Sequence, residues 1–308
     1  MPPSQESGPE ASGVSSSISL VEVTEVVVKL FSCKAPGVDE IRPEMLKVLD
    51  IVGLSWLMRL CNIAWTSRTV PLDWQTRVVV PIFKKGDRRV CANYWGITLL
   101  SLPGKVYAKV LERSLRPIVE PQTEEEQCRF RPSHGTMDQH FTLSRIVVGA
   151  WKFANPVYMC FVDLEKTYDR VPRDILWEVL REYAVPGLLL RAIRSLYSQS
   201  QSCVHILNIK SDPFSVSAGH GCALSPLLFV IFMDRVSRRS QGLEGIMCGS
   251  QSVVSLLFAD DVVLLAESHG CLQRSLEQFA AECEAVGMRI STSKSESMVL
   301  AQKRMACS

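Results

Sequence analysis

Two apolar runs, Ser255-Leu256-Leu257 and Val262-Val263-Leu264-Leu265, are separated by Phe258-Ala259-Asp260-Asp261. The runs read as strands, and the segment between them as the turn of a hairpin. Aspartate is disfavoured inside strands and common in turns, so the bland reading is a turn with two solvated carboxylates. Adjacent carboxylates also repel unless a cation sits between them. Hard oxygens suit Mg2+, which takes one or two protein carboxylates together with phosphate oxygens and water. Such a site needs another carboxylate from a neighbouring strand. Asp163, at the end of the apolar run Phe161-Val162-Asp163, is the candidate. Alone it reads as a helix or turn cap.

Composition narrows the field. With 308 residues the expectation is about two domains. Hydrophobic residues make up 47% and charged ones 21%, which excludes global disorder. The balance of 34 basic against 32 acidic side chains excludes a wholesale cationic binder and leaves room for a local basic groove. The 11 cysteines contain no C-x-x-C pair, so neither a structural zinc site nor a disulfide framework fits, and reduced thiols in an intracellular protein are expected. The five histidines show no ligand spacing. The apolar run Ala223 to Met233 is about half of what a membrane span needs, so no membrane partner is expected.

Along the chain, residues 1–18 are rich in Ser, Pro, Gly and Glu and read as a disordered lead-in. Helices are predicted over 20–31, 43–49, 54–67, 103–115, 174–183, 188–197, 226–239 and 272–286, with a further helix ending near Trp151. Strands are predicted over 78–83, 157–163, 253–258 and 262–266. A hairpin is predicted from 202–209 and 214–217, with Lys210-Ser211-Asp212-Pro213 as its turn, and one or two strands over 288–300.

The order of motifs is more specific than any of them alone. Asp163-Leu-Glu-Lys-Thr-Tyr168-Asp, then Gly221-Cys-Ala-Leu-Ser-Pro-Leu-Leu-Phe229, then Phe258-Ala-Asp-Asp261 resemble motifs A, B and C of the reverse transcriptase palm. Lys34-Ala-Pro-Gly-Val-Asp-Glu-Ile41, Asn93-Tyr-Trp-Gly-Ile-Thr-Leu-Leu100, Gln127-Cys-Arg-Phe-Arg-Pro132 and Gly287-Met-Arg-Ile-Ser-Thr-Ser-Lys294 resemble further motifs of the non-LTR class. The chain is similar to the reverse transcriptases of LINE-type retrotransposons, close to those abundant in fish genomes, over about residues 20 to 300.

The resemblance implies an α+β fold, with fingers over 19–155, a palm with an antiparallel sheet backed by helices over 156–301, a tail over 302–308 and no thumb. It implies RNA-directed DNA polymerase activity on an RNA template, a DNA primer and dNTPs. Asp163, Asp260 and Asp261 would hold two Mg2+ ions, replaceable by Mn2+, with the backbone carbonyl of Leu164 as a further ligand. Tyr168 would be the steric gate against ribose; the alternative is a core aromatic. Lys84 and Lys85 would meet the triphosphate, or sit in an ordinary solvated turn. Lys294 would lie near the leaving group, or on the open surface. From Lys84 to Arg116 eight basic residues face two acids. Arg88, Arg89, Lys105 and Lys109 in this patch, with Arg131 beyond it, would contact nucleic acid. Oligomeric state stays open, and either nucleus or cytoplasm suits the function.

Several positions depart from the family pattern. Trp95 stands where Arg clamps the triphosphate. The segment Gly219-His220-Gly221-Cys222 is two residues short and lacks Arg and Gln. Arg129 replaces Gly, Ser133-His134 replaces Gly-Arg, and Thr167 replaces Ala. Together they predict weak or absent polymerase activity. The alternative function is a degenerate remnant that binds RNA or RNA–DNA hybrid without copying it, and a third reading is an unstable pseudogene product.

Overall fold

Ser19 caps the first helix. Its Oγ accepts from the Glu22 amide at 3.2 Å while the Glu22 carboxylate accepts from the Ser19 amide at 2.8 Å, which satisfies two of the orphan donors of a helix start. The computed structural model describes residues 17–131, 134–165, 167–207, 209–216, 223–240, 245–248 and 251–301, without the side chains of Ala92, Tyr168, Asp169 and Gln251. Its contacts divide the chain into two compact units, one holding 17–117, 184–216 and 223, the other 118–183 and 224–301. Residues 118–155, expected with the fingers, group with the second unit, and 184–216 group with the first.

In the first unit, α1 (Leu20–Val28) contacts α2 (Pro43–Lys47) and α3 (Ile51–Ser67). The short α4 (Leu72–Gln75) leads into β1 (Thr76–Phe83), which pairs antiparallel with β2 (Tyr94–Leu100). The motif around Gly37 has a packing reason: a Cβ there would lie 2.4 Å from the Leu100 carbonyl carbon. Only glycine lets the two backbones come that close. After β2 runs α5 (Leu102–Val119). Its apolar face buries Val106, Tyr107, Val110 and Leu111.

The second unit opens with α6 (Thr136–Lys152), β3 (Val157–Val162), the short α7 (Thr167–Arg170) and α8 (Arg173–Glu182). The chain then returns to the first unit with α9 (Gly187–Ser195), β4 (Gln201–Ile206), β5 (Ile209–Lys210) and β6 (Phe214–Ser215). β4 lies parallel to β1 and pairs antiparallel with both β5 and β6. Back in the second unit come α10 (Ser225–Ser240), the hairpin β7 (Ile246–Cys248) and β8 (Gln251–Val253), β9 (Ser255–Phe258), β10 (Asp261–Ala266), α11 (His269–Ala285) and β11 (Glu296–Leu300). Its sheet runs β11-β3-β10-β9, antiparallel throughout. Ile146 of α6 packs with Val157, Met159, Ile246, Leu256 and Leu265 in its core. α11 contacts β3 and β10, and α10 contacts α8 and α11.

Three local expectations are corrected. The predicted pairing of 202–209 with 214–217 is present, with Ser202 opposite Phe214, but a further short strand is inserted. β4 ends at Ile206, Leu207 takes φ 55°, and His205 pairs with Lys210, inside the predicted turn; Asn208 falls outside the described residues. The single strand predicted over 253–258 is split at Val254, so that Val253 pairs with Ile246 while Leu256 pairs with Val263. The strand over 78–83 has a partner, β2, that was not predicted. Its segment is exposed on both sides, with Trp95, Gly96, Ile97 and Thr98 all in solvent, so no period-2 alternation marks it.

Candidate functional site

The antiparallel register carries the acidic residues to one end of the second unit's sheet. Val262 pairs with Val162 and Val263 with Phe161. Each strand end is followed or begun by an acid, Asp163 after Val162 and Asp261 before Val262, and the Asp163 charge reaches Asp261. Side chains two apart share a face of a strand, so Asp163 follows Met159 and Phe161 while Asp261 precedes Val263 and Leu265, on the same side. Asp260 occupies the tight turn between β9 and β10, where Phe258 pairs with Asp261.

That turn is strained and pinned. Ala259 has φ 60°, a conformation favoured by glycine and costing other residues about 1–2 kcal/mol. Its amide donates to the Gln127 Oε1 at 3.0 Å, and the same oxygen accepts from the Arg129 amide at 3.2 Å. Gln127 is buried and bridges Leu257, with the Cys128 amide on the Leu257 carbonyl at 3.2 Å and the Leu257 amide on the Glu126 carbonyl at 3.0 Å. Sequence reading had Gln127 only as part of a motif. Its job is to brace the aspartate turn, and its buried Nε2 finds no hydrogen-bond partner among the described residues.

Asp163 is held through its backbone. Its amide donates to Ser295 Oγ at 3.1 Å and its carbonyl accepts from the Ser291 amide at 2.8 Å. α11 ends with Gly287 at φ 76°, the Met288 amide on the Cys283 carbonyl and the Gly287 amide on the Glu284 carbonyl. This closure turns the chain back toward β3. Leu164 bridges Ile290 through the Glu165 amide and the Asp163 carbonyl, so its own carbonyl is not used by that bridge.

Each aspartate has a neighbour. Lys294 Nζ lies 3.4 Å from Asp163 Oδ1. Thr167 Oγ1 donates to Asp260 Oδ2 at 3.1 Å. Asp261 stands at the rim, where partial burial and then the Asp260 charge push its carboxyl above the ordinary range; the Arg129 charge opposes them and the Asp163 charge adds to them. The Arg129 guanidinium stacks over Phe258 at 4.7 Å and Phe130 at 5.0 Å. Its place beside the acids was not anticipated.

The donor set suits a hard cation: three carboxylates of hard oxygen donors, with Asp261 pushed above the ordinary carboxylate range by burial and by the Asp260 charge. Among the described residues no three His, Cys, Asp or Glu side chains are gathered tightly enough to hold one metal ion. Asp163 and Asp260 instead lean on Lys294 and Thr167.

The other predicted residues belong to both units. Arg131 lies in the second unit and donates through Nη1 to the carbonyls of Glu124 (2.7 Å) and Gln127 (3.2 Å). It braces the loop that carries Gln127. Tyr168 is in α7, with its side chain outside the description, and so is the whole segment 217–222 with His220. In the first unit, Lys84, Lys85, Arg88 and Arg89 form an exposed tip between β1 and β2. The Lys84 amide donates to the Asn93 carbonyl at 2.8 Å, and Asn93 Nδ2 to the Asp87 carbonyl at 2.9 Å. Lys84 Nζ lies 5.2 Å above the exposed Trp95 ring, Arg88 5.2 Å from the Phe83 ring, and Arg89 pairs with Asp87 at 3.3 Å. Lys109 is tied to the buried Glu112 at 2.6 Å. Lys105 is half-buried, and burial pulls its ammonium below the usual lysine range against the opposing charge of Asp39.

Residues 82–305 match the family model described as reverse transcriptase (RNA-dependent DNA polymerase). The chain is 24% identical to a probable RNA-directed DNA polymerase from transposon BS of Drosophila melanogaster, over 90% of this chain and 31% of that protein. It is 29% identical to the Pol polyprotein of a type-1 retrotransposable element R2 of Nasonia vitripennis, over 56% of this chain and 17% of that one. The RNA-directed DNA polymerase from mobile element jockey of Drosophila melanogaster matches at 24% over 95% of this chain and 33% of its own length. The chain thus spans about a third or less of these curated relatives. Among solved structures, apo telomerase of Candida tropicalis truncated from its C-terminal domain superposes with a TM-score of 0.57 at 12% identity, over 82% of this chain and 56% of that one. That likeness shows the fold, and no helix among the described residues is long and apolar enough to cross a membrane. With the family model covering most of its length and the acidic residues of two of its motifs at one end of the two central strands of a sheet, the chain belongs to the reverse transcriptase (RNA-dependent DNA polymerase) family.

Proposed function

We propose that the chain is the RNA-directed DNA polymerase domain of a LINE-type, non-LTR element, taking an RNA template, a DNA primer and dNTPs. The observation that carries this is the register that sets Asp163 beside Asp261 and next to the Asp260 turn. The reaction class is in-line attack of a primer 3′-hydroxyl on the α-phosphorus with pyrophosphate leaving, which leaves the protein mainly positioning and electrostatic work. Asp163, Asp260, Asp261 and the Leu164 carbonyl are the groups that would hold Mg2+. When bound, the metal supplies charge neutralisation on the triphosphate and activation of the hydroxyl. Gln127 fixes the turn, Arg129 partly offsets its charge, and Lys294 places an ammonium beside Asp163. Tyr168 as steric gate and membership of the fish-type subfamily rest on motif resemblance.

Primer extension on poly(rA)/oligo(dT) with Mg2+ or Mn2+ tests the reading, with Asp260→Asn as the blank. Weak synthesis above the blank is expected, since Trp95 offers the triphosphate no charge. Trp95→Arg should raise it. Synthesis equal to the blank in both metals, with RNA binding retained, would favour the binding-only remnant. That second reading is supported by the exposed basic residues Lys85, Arg88 and Arg89 at the tip between β1 and β2.

A further inference from the structure

We propose that Thr167 is a positioning residue that holds Asp260 away from an incoming divalent cation, so that this chain takes up the ion more weakly than it would without that hydroxyl. The inference rests on reading the aspartates as cation ligands. Thr167 opens α7 and is buried, 4% exposed. Its Oγ1 donates to Asp260 Oδ2 at 3.1 Å across 93 residues of sequence. Threonine divides between two χ1 rotamers in a helix, and its enclosure at 4% exposure holds the one that reaches Asp260. A hydrogen bond to a carboxylate is stronger than one between neutral groups. The turn is fixed from the other side as well, because Gln127 holds the Ala259 amide at 3.0 Å. Asp260 is therefore held at its carboxylate by Thr167 and at the backbone of its neighbour Ala259 by Gln127.

A cation binding Oδ2 must break or share this bond, and the oxygen that donates charge to a hydroxyl has less to give to a metal. Alanine, the residue the family pattern carries here, makes no such bond. The hydroxyl thus stabilises the metal-free arrangement selectively. Lys294 acts in the same sense on Asp163, at 3.4 Å, but it is exposed and free to swing, whereas Thr167 is enclosed.

The test is Mn2+ binding to the full chain, followed by the electron paramagnetic resonance signal of free Mn2+. Thr167→Val keeps the shape and removes the hydroxyl, Thr167→Ala is the second variant should Val fail to fold, and Thr167→Ser keeps the hydroxyl. Val or Ala should tighten Mn2+ binding by about three- to tenfold, the scale of one partly offset hydrogen bond to a charged group, while Ser stays at the wild-type value. Asp260→Asn should weaken binding strongly. If Val and Ala bind like wild type while Asp260→Asn loses the ion, the inference is wrong and the cation reading stands. If wild type and both hydroxyl-free variants take up no Mn2+, the cation reading falls and takes the inference with it.

Discussion

At the scale of single residues, Asp261 is placed against stability. Asp261 carries a raised proton affinity because partial burial and the Asp260 charge disfavour its ionised form. A carboxyl raised in the fold binds protons more readily there than in the unfolded chain, so its contribution to stability is present at low pH and is lost as pH rises from the unfolded through the folded value. Asp261→Asn should remove that loss. In thermal melts without divalent metal at pH 7 the variant should melt higher by about 1–3 °C, with the gap closing below the ordinary carboxylate range. A lower melting temperature would mean that the carboxylate is already well compensated. Metal activity should be lost in the same variant.

At the scale of elements, two close fits hold the framework. Gly37 lies where any side chain would overlap the Leu100 backbone at 2.4 Å. Gly37→Ala should cost about 2–3 kcal/mol, because backbone, unlike a side-chain tip, has nowhere to move. Urea unfolding would read it directly, and a change below ~0.5 kcal/mol would refute the fit. In α10, Asp234 is buried and accepts from the Tyr183 hydroxyl, from the Glu124 amide at 2.8 Å, and from Arg238 Nε at 2.8 Å. Asp234→Ala strands the Tyr183 hydroxyl and the Glu124 amide and takes one partner from Arg238, which keeps the Gln122 carbonyl and Glu124, and it should destabilise by about 2–4 kcal/mol. Losing under ~1 kcal/mol in the same urea experiment would show that water replaces the carboxylate. Sequence reading found most of these helices and strands, since their periodicity or β-branched content is local. It missed β2 and the short strand inserted after β4, because an exposed strand has no alternation and a two-residue pairing has no sequence-level length.

At the scale of the whole molecule, a near-neutral chain concentrates basic side chains locally. Of the eight basic residues between Lys84 and Arg116, Lys109, Arg113 and Arg116 are engaged by Glu112 or Glu25. The exposed tip at 84–89 is the freer part of that charge. If it meets RNA phosphates, Lys84→Ala with Lys85→Ala should lower the slope of log K against log salt by about 1.4, near 0.7 for each phosphate contact to a single strand. An unchanged slope would remove the tip from the interface.

Motif order alone determined the family and the fold class and singled out three carboxylates as candidates, because the chemistry demands those residue types and strand ends announce themselves in apolar runs. Tertiary structure decided what the motifs are for: that Gln127 braces the aspartate turn, that Arg131 serves a loop, that Arg129 sits beside the acids, and that Thr167 reaches Asp260. Those contacts join residues far apart in the chain, and a side chain's partner across such a gap depends on strand register and packing, which no local pattern encodes.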